Sequence, residues 1–158
     1  MADYPVTLSG ARKSPLTDVE RINGFSTKYT IPYSDVAVAT ATGNADTVTV
    51  TLGALPARWA VNKALVNITT AFAGTTALTI IVGTTSTTNA FISSTSVLTA
   101  ATIGSGLSDA LTNATATATK NLVAIFTNAT GGSPSALTAG SLDIYLNVLD
   151  MGTSGNFQ

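Results

Sequence analysis

From Tyr29 onward the chain breaks into short segments in which apolar residues alternate with threonine, punctuated by glycine, asparagine, aspartate and serine. Side chains alternate across a β-strand, so a period of two sends one set inward and the other outward. In Asp46 to Leu52, Val48, Val50 and Leu52 form one set and Thr47, Thr49 and Thr51 the other. Ala64, Val66 and Ile68 alternate with Lys63, Leu65 and Asn67, and Leu78, Ile80 and Val82 form a third inward set after a turn at Gly74. Near the end, Leu142, Ile144, Leu146 and Val148 alternate with Asp143, Tyr145 and Asn147. Leu122, Ala124 and Phe126 interleave with Val123 and Ile125, the pattern of a strand buried on both faces.

Weaker signals complete the set. Tyr29, Ile31 and Tyr33 predict a first strand, which Pro32 confines to an edge or a strand start because proline cannot donate to a ladder. Phe91-Ile92 and Val97-Leu98 suggest a short hairpin, and Leu107 to Thr119, with its alternating Thr and Ala, reads as a loop or weak strand. Gly74, Gly83, Gly104, Gly131 and Gly140 fall between segments as turn residues. About eight strands without intervening amphipathic helices predict an all-β fold, a jelly-roll-like β-sandwich with an extended N-terminal arm.

Charge divides the chain. Only 9% of residues are charged, and Asp3, Arg12, Lys13, Asp18, Glu20, Arg21, Lys28 and Asp35 all precede residue 36. Residues 1–28 also hold Pro5, Gly10, Pro15 and Gly24 and no sustained apolar period, so they read as an arm. A helical turn at Leu16 to Ile22, capped by Thr17 or Asp18, fits within it. Residues 29–151 form the sandwich and 152–158 a C-terminal tail. Arg12, Lys13, Asp18, Glu20, Arg21 and Lys28 are the candidate protein-interaction residues, since an ordered arm can add to a sheet edge of a neighbour and pair charges with it.

Chemistry is largely excluded. With no His and no Cys the chain has no imidazole or thiolate for a triad, a zinc site or a disulfide. It carries no GxxxxGK[ST], GxGxxG or GxSxG pattern, and nothing marks Lys63 or Lys120 as half of a Ser–Lys dyad. Asp143 and Asp150 flank the last strand and Asp46 follows Gly43-Asn44 in a turn, but no DxDxDG loop gathers oxygens for a hard cation. The expectation is no catalytic residue, no metal, no cofactor and no enzymatic activity. A net charge of −1 offers a phosphate backbone no attraction, so nucleic acid is not an expected partner. Nor is a membrane, because apolar runs such as Ile80-Ile81-Val82 are short and the N-terminus lacks the apolar core of a signal peptide, which points to synthesis in a cytoplasm.

Three sequons, at Asn67, Asn113 and Asn128, match what chance gives: ten Asn in a chain with about 27% Ser plus Thr produce about 2.7. Trp59, after Pro56-Ala57-Arg58, is expected to close the core at a strand entrance. The alternative is a rim aromatic, with Tyr145, that stacks on a sugar. The scarcity of charge itself implies that the surface is packed against neighbours, as in an oligomer or array.

The succession IPYSDV (31–36), TVTVTLGALPA (47–57), VNITTAFAG (66–74), LTIIVGT (78–84), FISS…VLTAA and ALTAGSLDIYLNVLDMG (136–152) resembles small virion proteins of tailed bacteriophages, the capsid decoration or cement proteins. The resemblance spans nearly all of residues 29–152 and rests on strand-and-turn patterns. It implies a jelly-roll-like domain, often a homotrimer, on the outer capsid surface of the virion, bound to the major capsid protein and stabilising the shell. It implies no catalytic residues. The competing expectation is a receptor- or glycan-binding module of a head or tail fibre.

Overall fold

Alternation in the sequence becomes alternation in burial. In a computed structural model that describes residues 2–7, 13–38, 40–43, 46–104, 118–128 and 132–150, Val48, Val50, Leu52 and Leu55 of β4 (Thr47–Leu55) point inward and Thr47, Thr49 and Thr51 outward. The other strands are β1 (Asp3–Thr7), β2 (Lys13–Ser14), β3 (Thr27–Pro32), β5 (Trp59–Ala73), β6 (Leu78–Thr84), β7 (Ile92–Ser96), β8 (Thr102–Gly104), β9 (Lys120–Asn128) and β10 (Ala139–Asp150). Two short helices, α1 (Asp18–Ile22) and α2 (Tyr33–Val36), and a 3-10 turn at Pro134–Ala136 complete the described elements.

The strands form two five-stranded sheets, in the order β1-β4-β9-β6-β7 and β2-β3-β10-β5-β8. Within them β3 to β10 give 4-9-6-7 facing 3-10-5-8. Consecutive strands change sheets at every step except the β6–β7 hairpin, which is the winding of a jelly roll. The arm supplies the two extra strands. β1 lies parallel to β4, with Asp3 opposite Thr47, and β2 lies antiparallel to β3, with Lys13 opposite Tyr29. In this chain the arm therefore adds to the edges of its own two sheets.

Between the sheets sit Ile31, Val48, Val50, Val66, Ile80, Phe126, Leu142, Ile144 and Leu146, each 2% exposed or less. Burying each such side chain stabilises the fold by about 1.5–3 kcal/mol before entropy is counted. Phe72 from one sheet meets Phe126 from the other with ring centroids 5.8 Å apart. In β5 the inward phase passes from Val61 to Ala64, Val66 and Ile68. The pairing with β10 shifts between Asn147 and Val148 there, and one bulge swaps odd for even positions. Trp59 opens β5 and packs partly buried against the core, as expected for a residue closing a strand entrance.

Several expectations are corrected. Phe91-Ile92 and Val97-Leu98 do not form a hairpin of their own. They bracket a single strand, β7, which pairs with β6, and the Phe91 and Val97 amides donate to Val82 and Leu78. Tyr33 begins α2 instead of continuing β3, because the chain turns directly after Pro32. Pro32 ends its strand instead of starting it; the edge position expected of it holds at Pro32 itself, where β3 pairs only with β10 among the described residues, while β2 covers the outer side at Lys28 and Tyr29.

Gly83, Gly104 and Gly140 lie within β6, β8 and β10 and are not turn residues. Gly140 has φ +136°, and a Cβ there would fall 2.5 Å from the Phe72 ring, so glycine lets that ring lie flat on the strand. Asp143 does not flank β10 but sits inside it, buried. The expectations for Leu107 to Thr119 over residues 107–117, Gly131, the Asn113 sequon, Arg12 and the tail 152–158 lie outside the described residues.

Candidate protein-interaction surface

The helical turn expected in the arm is present, and its start is a reciprocal cap. The Thr17 hydroxyl accepts from the Glu20 amide at 3.3 Å, while the Glu20 carboxylate accepts from the Thr17 amide at 2.6 Å. That backbone N–H is the largest reason the Glu20 carboxyl is held down at about 2. Glu20 is turned toward the second sheet, where its other oxygen meets Lys28 Nζ at 3.3 Å.

Lys28, in β3, is the centre of this arrangement. Its ammonium also lies 3.3 Å from Asp143 Oδ2 of β10 and 5.1 Å from the Tyr145 ring centre. Burial works against the charge on Lys28, but hydrogen bonding to Tyr145 and Asp143 outweighs it and raises its proton affinity above the usual lysine value. Thr30 donates to the second Asp143 oxygen at 2.7 Å and the Tyr145 hydroxyl donates to Oδ2 at 3.4 Å, so the buried carboxylate has an ion pair and two hydroxyls. Phe25 covers Tyr145 with centroids 5.4 Å apart, and Lys63 Nζ lies 4.7 Å from the Phe25 ring centre. The outer face of the second sheet is thus roofed by residues 17–25. This is why Asp143 and Tyr145, outward by alternation, are only 8% and 7% exposed.

Of the six arm residues singled out from the sequence, Glu20 and Lys28 meet each other. Asp18 and Arg21 are exposed on α1, Lys13 contributes backbone to β2, and Arg12 is outside the described residues. Asp143, Tyr145, Phe25 and Lys63 were missed as parts of the same cluster. The available signal was Asp143 itself, a carboxylate between Leu142 and Ile144 that needs a cation once its strand is central. Tyr145, the aromatic that a sugar-binding rim would have used, is shut under Phe25 and cannot serve one.

The first sheet presents a different exterior. Thr47, Thr49, Thr127 and Thr79 share its outer face with Ile125 and Ile81, and Asp3 accepts from the Thr47 and Thr49 hydroxyls at 3.0 and 2.8 Å. Beside this edge the Asp46 carboxylate, 6% exposed, accepts from the Gly43 amide at 2.8 Å and the Ala2 amide at 3.2 Å, fastening the entry to β1. At the same end of β9, where the Asn128 amide donates to the Asp46 carbonyl, Asn128 is fully buried and its side chain is hydrogen-bonded to Thr75 and to the Gly132 carbonyl, a structural bracket closed to glycosylation.

No protein-family model and no curated protein sequence matches the chain. Among solved structures it is similar to a chain from the capsid of Ralstonia phage GP4, with 17% identity and a TM-score of 0.51 over 97% of this chain and 100% of that one. It is also similar to a chain from the acid-stable capsid of Helicobacter pylori bacteriophage KHP30, with 21% identity and a TM-score of 0.43 over 79% of this chain and 93% of that one. At such identities the likeness to the Ralstonia phage chain is one of fold, and it runs the length of both molecules.

Proposed function

We propose that this chain is a structural virion protein that binds the outer surface of a phage capsid, contacts the major capsid protein and stabilises the shell as a decoration or cement protein. The observation that carries the reading is the end-to-end fold likeness to a phage capsid chain, 97% of one molecule on 100% of the other. The Thr-rich outer face of the first sheet supports it, because a partner covering Thr47, Thr49, Thr79, Thr127, Ile81 and Ile125 meets hydroxyls and apolar groups, and the Asp3 carboxylate at its edge already has the Thr47 and Thr49 hydroxyls as donors. The role is non-enzymatic and needs no cofactor; the protein acts as a homotrimer. Single contacts of modest strength add up when many copies sit on one lattice.

Particles made with and without the protein provide the test. The proposal expects hundreds of copies per particle by quantitative mass spectrometry, and release of the genome at lower temperature when the protein is missing. Unchanged thermal stability together with impaired adsorption to cells would replace it with a receptor-binding role.

A further inference from the structure

The only large apolar side chains that stand well out of the described surface are on α1: Val19 is 67% exposed and Ile22 83%, and the helix buries none of its residues. Burial normally turns the apolar side of a surface helix inward. Here Glu20 is the residue turned inward, held by Lys28 and by the Thr17 cap, so Val19 and Ile22 are kept facing out. At about 100° per residue, Arg21, Asp18, Ile22 and Val19 follow one another across the outer arc, and Glu20 lies opposite its centre. The arc has an acid–base flank, Asp18 with Arg21, and an apolar flank, Ile22 with Val19; all four are exposed.

Such an arc is complementary to itself. When two copies lay α1 on α1 antiparallel about a twofold axis, apolar flank meets apolar flank, with Val19 against the second copy's Ile22. The charged flanks meet with ends reversed, so Asp18 of each faces Arg21 of the other, and the helix dipoles oppose favourably. We propose that α1 is a twofold contact between neighbouring copies of this chain. Two apolar side chains and two ion pairs cover much less than the roughly 800 Å² per partner of a stable pair, so the contact is weak alone and counts when copies are already held close. A twofold contact cannot close a ring of three; it links one oligomer to the next.

The full-length protein in solution tests this without any capsid, so the outcome is independent of the decoration role. Static light scattering up to about 1 mM, the range of a contact worth about 4 kcal/mol, should show attraction beyond the basal oligomer, weakened at least threefold by Ile22→Ser. Asp18→Arg and Arg21→Asp, each alone, should lose it by placing like charges opposite each other. An equimolar mixture of the two should regain it, since the two basic side chains at positions 18 and 21 of one variant then face the two acidic side chains at the same positions of the other. Circular dichroism and melting confirm that each variant is folded. Absence of attraction in the unaltered protein, association of the single variants at the unaltered level, or a mixture as weak as its components overturns the proposal.

Discussion

Lys28 and Asp143 lie diagonally across the β3–β10 pair, Nζ 3.3 Å from Oδ2, each close in register to the other's direct partner. They bring the first and last jelly-roll strands together on the side covered by the arm. Removing the cation alone leaves a carboxylate that is 8% exposed with only the neutral Thr30 and Tyr145 hydroxyls as its hydrogen-bond donors among the described contacts. Lys28→Met is expected to lower stability by about 2–4 kcal/mol. The double change Lys28→Met with Asp143→Leu should recover much of that loss in urea unfolding, because it removes the stranded charge.

Acid should loosen the arm before it unfolds the sandwich. The Glu20 carboxyl is lowered from its ordinary 4.5 to about 2, so its contribution is complete above about pH 4.5 and disappears as pH falls through about 2. Carboxyl-detected NMR should place the Glu20 midpoint well below the ordinary value, with α1 amide shifts following it. An ordinary midpoint near 4.5 would contradict the cap geometry.

Asp46 accepts from the Ala2 amide at the entry to β1 and from the Gly43 amide of its own turn, tying the two together. Asp46→Ala strands both donors and should cost about 1–3 kcal/mol. Hydrogen exchange should quicken over Asp3–Thr7 while β9 and β10 keep their protection, since an edge strand opens locally before the core does.

Gly140→Ala places a methyl on the Phe72 ring at a φ of +136°. Strain and overlap act together, and a loss of more than about 2 kcal/mol is expected in thermal unfolding. Gly140→Ala combined with Phe72→Leu should be less damaged than the sum of the two single changes, because the leucine removes the clash but not the strain.

A chain beginning at Lys28 retains almost all of the eight jelly-roll strands and loses β1, β2, α1 and Phe25. It should keep a β-type circular dichroism spectrum and a cooperative melt at lower temperature. Its binding to undecorated capsids should weaken at least about tenfold, about 1.4 kcal/mol. Equal binding would make the arm a passive cover for Tyr145.

What could be read from the chain follows the distance over which each interaction acts. The strict alternation of β4, β6 and β10 and the Thr17 cap are local patterns, and each appears where its residues predict it. β1 and β2 were hidden in the arm because five and two residues, one of them Pro5, carry too little periodicity to show. Gly140 has the look of punctuation only until Phe72, 68 positions earlier, is laid against it. Asp143 and Tyr145 count as exposed by alternation, and it takes the roof of residues 17–25 to bury them. Candidate surface residues were therefore found by their charge, but their grouping depended on contacts across the whole chain.

The position of β10 also governs when this molecule can fold. It is the last of the described strands to be synthesised, yet it occupies the middle of its sheet between β3 and β5, pairing Tyr145 with Lys28 on one side and Leu65 on the other. Until it leaves the ribosome, β3 and β5 have no shared partner and their apolar faces stay open, so the nascent chain carries unfinished sheet edges until β10 emerges. Pairings so distant in sequence place folding in the slow regime, roughly milliseconds to seconds. With only 9% of its residues charged, the waiting chain has little electrostatic repulsion from its neighbours, so slow insertion of β10 exposes it to aggregation.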